Sequence, residues 1–151
     1  MNKCFFEFKD KLPENIDKVM HDELVAYEYR HGIICNYKPF SIILKINEGK
    51  AIGVLNGYTA FAEIYVDDLW IDSNYRGNGY GRKLMVKLEQ QFQGKGFNNI
   101  NLVTSQFQAP EFYKKCGFAI EFVRENKINP KLTKIFFVKY FNDRLQTQGL
   151  I

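Results

Sequence analysis

Hydrophobic and polar residues follow one another along this chain in runs that predict short strands and two longer helices. A Phe-rich segment at residues 3–9 predicts a first strand. Apolar side chains at helical spacing predict a helix over residues 13–29 that ends near Gly32. Turn residues at 47–50 and 57–60 separate the strands that follow. Those strands are predicted at residues 40–46, 51–58, 62–71, 99–104, 118–123 and 135–141, and a polar tail follows Asp143.

The strand at residues 62–71 is dense in apolar residues, which predicts burial on both of its faces. It also carries acidic residues, and a buried carboxylate without a partner is costly. Because successive strand residues point to opposite faces, Glu63, Asp67 and Leu69 are expected on one face. Asp68 is then expected on the other face.

Three glycines interrupt the polar turn after this strand and lead into an amphipathic helix that runs to Phe92. Glycine lets the backbone approach a ligand closely and adopt positive φ. The helix that follows points free N–H groups and a positive dipole end toward the turn, which favours phosphate binding. Arg76 before the glycines and Arg82 after them add positive charge. This turn is therefore predicted to hold a pyrophosphate.

Two common phosphate-binding patterns do not fit the turn. Counted from Gly77, both the P-loop and the dinucleotide fingerprint require a glycine at position 82, where this chain has Arg82. The dinucleotide fingerprint also usually opens the first βαβ unit, whereas this turn lies in the middle of the chain.

Composition narrows the class of protein. At 151 residues, with 46% apolar and 16% aromatic residues, the chain is expected to form a single domain at 1–151. No apolar run reaches the length of a membrane span, so a cytoplasmic protein without a membrane partner is expected.

Three separated cysteines predict neither a disulfide framework nor a zinc site. A net charge of +4, without basic and aromatic residues interleaved, does not favour nucleic-acid binding.

Two motifs together resemble one protein family. Residues 76–81 read R-G-N-G-Y-G, and residues 109–118 read A-P-E-F-Y-K-K-C-G-F. These are similar to the R/Q-x-x-G-x-G/A loop and the A-x-x-F-Y-x-x-x-G-F segment of the GNAT superfamily of acyl-CoA-dependent N-acetyltransferases. The resemblance implies an α/β (α+β) fold. Its sheet would be mixed, mostly antiparallel and twisted, flanked by helices, with two parallel strands that splay at the coenzyme A site.

The resemblance also implies where acetyl-CoA binds. In this family, backbone groups of the splayed strand bind the pantetheine arm and the glycine loop binds the pyrophosphate. Many members carry an asparagine three residues before the alanine of the second motif; here that position is Gln106, a longer amide. The implied binding residues are Leu69, Trp70, Ile71, Arg76, Gly77, Asn78, Gly79, Tyr80, Gly81, Arg82 and Gln106.

The chemistry of amide formation assigns the remaining roles. An attacking amine must lose a proton, and a carboxylate in a partly apolar cleft can accept it. Asp67 matches the position of the acidic base in many family members, with Glu63 as the second candidate. Tyr113 matches the tyrosine that protonates the departing thiolate. Two structural alternatives stay open: Asp67 as a carboxylate bonded to backbone N–H groups or to a nearby tyrosine, and Tyr113 as an ordinary core tyrosine.

The function implied is transfer of an acetyl group from acetyl-CoA to a primary amine in a direct ternary complex, without a metal. The acceptor would be a small amine or a peptide amine, and the protein a monomer or a homodimer. Two alternatives stay open: a catalytically weak acyl-CoA-binding sensor or interaction module, and a toxin-like acetyltransferase that acts on charged tRNA or protein N-termini.

Overall fold

A computed structural model describes residues 2–141, and the predicted tail after Asp143 lies outside them. The described chain divides into two compact units, which meet in sequence at Cys35 and Asn36. The expectation of a single domain stays a prediction. No helix within the described range is long and apolar enough to cross a membrane.

The first unit contains one helix, α1 (Glu14–Arg30), close to its predicted bounds. Pro13 precedes it, and Gly32 follows it with a φ of +71°, so the helix ends where glycine can take the left-handed conformation. The prediction of a strand at residues 3–9 is wrong, because these residues form no strand. Phenylalanine gives them local strand propensity, but a strand requires a hydrogen-bonded neighbour.

The second unit is built on a six-stranded sheet and two helices. The elements are β1 (Lys38–Lys45), β2 (Ala51–Ala60), β3 (Glu63–Ile71), α2 (Tyr80–Phe92), β4 (Asn99–Ser105), α3 (Pro110–Lys115), β5 (Ala119–Arg124) and β6 (Lys134–Tyr140). The strand order in the sheet is β1-β2-β3-β4-β6-β5. All neighbouring strands are antiparallel except β3 and β4, which are parallel and joined by α2. This mixed sheet confirms the predicted fold class.

The core lies where α2 packs on one face of the sheet. Leu84, Met85 and Leu88 form the buried stripe of α2, and burying each such side chain contributes about 1.5–3 kcal/mol. The sheet supplies the facing layer, which includes Leu55, Ile64, Val66, Ile100, Leu102 and Phe137. Because α2 begins at the glycine turn, this packing also fixes where the turn lies.

A β-bulge in β3 changes which side chains share a face. Gly57 pairs with Val66, and its neighbour Asn56, which precedes it in the antiparallel strand β2, pairs with Asp68. Asp67 is therefore an extra residue without a partner on β2. The predicted alternation is therefore wrong beyond Val66, because a bulge shifts the two-residue period by one. Pairing with β2 places Leu69 and Ile71 on the face of Ile64 and Val66, and it places Asp68 and Trp70 on the face of Glu63 and Tyr65.

Two smaller predictions about these strands are also wrong. Within β3 only Ile64 and Val66 are fully buried, so the strand is not buried on both faces. The turn predicted at residues 57–60 lies inside β2, and the chain reverses instead at Phe61 and Ala62, both with positive φ. Gly57, which predicted a turn, instead has a packing role. A Cβ at this position would lie 2.3 Å from the carbonyl oxygen of Tyr65.

The parallel strands separate directly beyond the bulge. β3 pairs with β4 from Glu63 to Val66, and the last pair joins Val66 to Leu102. Beyond it, β3 continues beside β2 while β4 continues beside β6. A bulge bends its strand and increases the local twist, which explains why the separation begins at Asp67. The expected splay is confirmed.

The close approach of Gly57 to β3 leads to a stability prediction. In Gly57→Ala the new methyl group meets backbone, which cannot move without disturbing the bulge, and we expect a loss of about 3 kcal/mol. In the matched variant Gly53→Ala the methyl meets the end of the Ile71 side chain, at 2.8 Å, which can rotate away. That variant is expected to lose about 1 kcal/mol. Urea unfolding of both variants checks this, and equal losses would contradict it.

Candidate active site

A cavity of about 550 Å³ opens where β3 and β4 separate. It brings the end of β3, the glycine turn, the start of α2 and the helix α3 around one space. Most of the residues predicted to bind coenzyme A contribute to its wall. The lining residues are Leu69, Trp70, Ile71, Tyr75, Arg76, Gly77, Gly79, Tyr80, Gly81, Arg82, Ala109, Phe112 and Tyr113.

The glycine turn is held in shape by its own side chains. Gly77 and Gly79 have φ values of +78° and +79°, which other residues adopt only at a cost. The Arg76 Nε donates to the Ile71 carbonyl oxygen at 2.9 Å. The Asn78 Nδ2 donates to the carbonyl oxygens of Tyr75 and Arg76. The Asn78 side chain is thus directed at the turn itself, and it is not part of the cavity wall.

Gly81 has a different role from the two glycines before it. A Cβ at this position would lie 3.2 Å from two carbon atoms of the Phe112 ring, so the missing side chain lets α2 pack closely beside α3. The third glycine of the motif therefore sets the distance between the glycine turn and the helix that carries Tyr113.

The start of α2 concentrates positive charge. Its first turn contains no acidic residue, and it carries Arg82 and Lys83. Cations at the positive end of a helix dipole destabilise the helix unless an anion lies in front of it. A second groove, of about 400 Å³, continues from Gly79 and Arg82 along α2 past Lys83 and Lys87. The charge of this surface suits a ligand with several phosphates.

Tyr113 lies at the boundary of the core and the cavity. Its ring packs against Phe112, Phe118 and Phe137, with ring centroids 5.1, 6.2 and 5.8 Å apart. Burial raises the pKa of the phenol, and Cys116 nearby raises it further. The phenol therefore carries its proton at neutral pH, as an unperturbed tyrosine also would, and its raised pKa makes it a weaker acid.

The carboxylates of β3 occupy three different environments. Glu63 lies in the paired part of the strand, where its carboxylate accepts hydrogen bonds from the Tyr65 hydroxyl and, at 2.9 Å, from the Asn99 Nδ2. Asp68 accepts a bond of 3.2 Å from the Asn56 Nδ2. Asp67 is exposed, and within residues 2–141 its carboxylate has no hydrogen-bond partner.

Asp67 therefore fits a proton-accepting role better than Glu63 does. It is the bulge residue, and it lies where the two strands begin to separate. Glu63 is already engaged by two donors in the part of β3 that β4 still covers. Neither carboxylate is part of the cavity wall itself.

Sequence reasoning missed several residues of the cavity wall, and Gln106, like Asn78 and the two carboxylates, was predicted for the site but does not line it. Gln106 is exposed, its backbone N–H donates to the Thr133 carbonyl oxygen at 2.9 Å, and its side chain is not part of the cavity wall. Phe112 and Ala109 line the cavity and lie inside the second motif, so the motif itself was the available signal. No pattern in the sequence indicates that Tyr75 lines the cavity.

A sequence model of the acetyltransferase (GNAT) family matches residues 5–118. Blasticidin-S acetyltransferase of Streptomyces morookaense is 33% identical over 73 residues, which are 48% of this chain and 54% of that protein. The match thus spans about half the length of that relative.

Solved structures share the fold. The crystal structure of an acetyltransferase from Bacillus cereus superposes with a TM-score of 0.73 at 28% identity, covering 89% of this chain and 98% of that one. A Bacillus anthracis protein described as a streptothricin acetyltransferase, in complex with acetyl coenzyme A, gives a TM-score of 0.62 at 23% identity, covering 76% and 68%.

The raised pKa of Tyr113 predicts a pH dependence of stability. In the unfolded chain the phenol ionises near pH 10, whereas in the fold it ionises at higher pH. Burial of the neutral phenol therefore contributes stability below about pH 10, and this contribution is lost as the pH rises further. The free energy of unfolding of wild type and of Tyr113→Phe is measured between pH 8 and 11. Only wild type should lose the contribution of the neutral phenol as the pH rises. Parallel curves would contradict the prediction.

Proposed function

The chain belongs to the acetyltransferase (GNAT) family, and we propose that it moves an acetyl group from acetyl-CoA to a primary amine in a direct ternary complex. One observation supports this most strongly. The half-buried Tyr113 lines the same cavity as the glycine turn and the splayed end of β3. The group proposed as the proton donor, the turn proposed as the anion site and the edges of the separated strands thus surround one space.

The shape and charge of the site support the following placement of acetyl-CoA. The pyrophosphate would lie at the start of α2, where backbone N–H groups, Arg76 and Arg82 meet it. The adenosine end would extend along the groove beside Lys83 and Lys87. The pantetheine arm would enter between β3 and β4 and bond the backbone of residues 69–71.

Three groups of this chain would then handle the protons and charge of the reaction. Acetyl-CoA supplies an activated carbonyl group and a thiolate leaving group. Asp67 accepts the proton of the incoming ammonium group, directly or through water, so that a neutral amine is available. A backbone N–H at residues 69–71 donates to the carbonyl oxygen as negative charge develops on it. Tyr113 gives its phenolic proton to the departing sulfur as the C–S bond breaks. The second proton of the amine nitrogen leaves through water and restores the phenol, so the products are an amide and free coenzyme A.

The acceptor would be a small, positively charged amine. The face of β3 beside the opening carries exposed carboxylates at Asp67 and Asp68, together with Trp70, whose side chain is 44% exposed. Carboxylates attract an ammonium group, and an aromatic face adds cation–π attraction. The names of similar proteins, blasticidin-S acetyltransferase and a streptothricin acetyltransferase, point to the same chemistry. We place the enzyme in the cytoplasm.

Binding of acetyl-CoA is tested by a matched pair of glycine variants. Gly79 and Gly94 have φ values of +79° and +73°, and a Cβ at either would meet no atom within 4 Å. Substitution by alanine should therefore strain the backbone similarly at both positions and lower the free energy of unfolding by about 1–2 kcal/mol. Only Gly79 lies at the start of α2, whereas Gly94 follows its end. Titration calorimetry should show at least about tenfold weaker acetyl-CoA binding for Gly79→Ala, and wild-type affinity for Gly94→Ala.

Equal affinities in the two glycine variants would contradict placement of the pyrophosphate at this turn. No binding of acetyl-CoA by wild type would contradict the proposed function as a whole.

Catalysis is tested by release of free thiol from acetyl-CoA with blasticidin S, streptothricin and spermine as acceptors. We expect Tyr113→Phe to lower kcat about 100-fold, because general acid catalysis typically contributes about 10²–10⁴-fold, with the Kd of acetyl-CoA unchanged. Asp67→Asn should lower kcat/KM for the amine, with the largest effect below the pKa of the amine. Unchanged turnover in both variants would contradict the roles of Tyr113 and Asp67. Binding of acetyl-CoA without thiol release by wild type with any of the three amines would favour an acyl-CoA-binding sensor.

A further inference from the structure

The edge of β4 that faces the cavity is left open by the splay. β4 pairs with β3 only as far as Leu102, and residues 103–105 pair with β6 alone. The N–H of Gln106 donates to Thr133, on the β6 side. Because successive N–H groups of a strand point to opposite edges, the N–H of Ser105 points to the side from which β3 has turned away.

A side chain takes the place of the missing strand at Ser105. The Gln108 Oε1 accepts the Ser105 N–H at 2.8 Å, and the Gln108 N–H donates to the Ser105 carbonyl oxygen at 2.9 Å. The Thr104 hydroxyl lies 3.4 Å from the same Oε1. Two bonds in opposite directions thus close the connection between β4 and α3 and satisfy an N–H group that the splay would otherwise leave without a partner.

This connection determines where α3 begins. α3 starts at Pro110, two residues after Gln108, and has only six residues, too few to be stable without its surroundings. Its far end is held by Lys139, whose Nζ donates to the Cys116 carbonyl oxygen at 2.9 Å. The position of Tyr113 within the cavity wall therefore depends on anchors at both ends of α3, and Gln108 is the anchor on the cavity side.

We propose that Gln108 is a positioning residue for Tyr113, which it places against the thioester by bonding the open edge of β4. The inference rests on the proposed function, in which Tyr113 is the proton donor. The Gln108 side chain is not part of the cavity wall, and it contributes nothing to the turn that binds pyrophosphate. Its loss therefore affects kcat and leaves the affinity for acetyl-CoA unchanged.

The test compares one substitution that removes the accepting oxygen with one that keeps it. Gln108→Leu keeps the size of the side chain and removes the acceptor, whereas Gln108→Glu keeps an oxygen that can accept the Ser105 N–H. With the best acceptor of the three amines, we expect kcat to fall at least about tenfold in Gln108→Leu, because small displacements of a catalytic group have large effects. Gln108→Glu should restore most of the rate, and the Kd of acetyl-CoA should stay within about twofold in both. Gln91→Leu, at an exposed position of α2, is the control and should match wild type.

Two further measurements separate positioning from a general structural effect. Amide hydrogen exchange by NMR should show protection of the Ser105 N–H in wild type and in Gln108→Glu, and its loss in Gln108→Leu. In the Tyr113→Phe background, Gln108→Leu should cause no further loss of kcat, because no proton donor remains to be positioned.

Failure of this inference and failure of the proposed function are distinguishable. If Tyr113→Phe is impaired but Gln108→Leu is fully active, or if the two losses multiply in the double variant, positioning by Gln108 is overturned and the proposed function stands. If Tyr113→Phe keeps wild-type turnover, Tyr113 is not the proton donor, and the positioning role falls with it whatever the exchange data show. The proposed function itself fails only if wild type binds no acetyl-CoA or releases no thiol with any of the three amines.

Discussion

The separation of β3 from β4 is the constraint on which the rest of this structure depends. Two neighbouring parallel strands normally bond each other's backbone N–H and C=O groups along their full length. Here this pairing stops at Val66 and Leu102. The bulge at Asp67 occurs at the same point, and the close approach that Gly57 allows keeps β2 beside the bent strand. The cavity exists because two inner strands of one sheet stop bonding each other at the middle of the sheet.

An open strand edge is costly unless its polar groups find partners, and the chain supplies different partners on the two sides. On β4, the Gln108 side chain satisfies the Ser105 N–H. On β3, the Ile71 carbonyl oxygen accepts a bond from Arg76, the first residue of the glycine motif. In our proposal the remaining groups of β3 are free for the pantetheine arm and the thioester carbonyl. The opening is therefore stabilised at its ends and left available between them.

The other face of the sheet carries a polar network that also begins at the bulge. Because Asp67 is an extra residue, Asp68 turns to the outer face, where Asn56 bonds it and Ser41 bonds Asn56 at 2.7 Å. Without the bulge, Asp68 would point into the core beneath α2, where an unpaired carboxylate would be strongly destabilising. One inserted residue thus both opens the cavity and keeps a carboxylate at the surface beside it.

The sequence by itself determined the elements whose signals are local. Apolar periodicity predicted α1 and α2, and residues 76–81 with 109–118 predicted the family and most of the cavity wall. Tertiary structure decided the rest, because the deciding contacts join residues far apart in the chain. The register of β2 on β3 placed the bulge at Asp67 and reversed the faces of Asp68 and Leu69. The strand at residues 3–9 failed for the same reason, since a strand exists only where another strand is close enough to bond it.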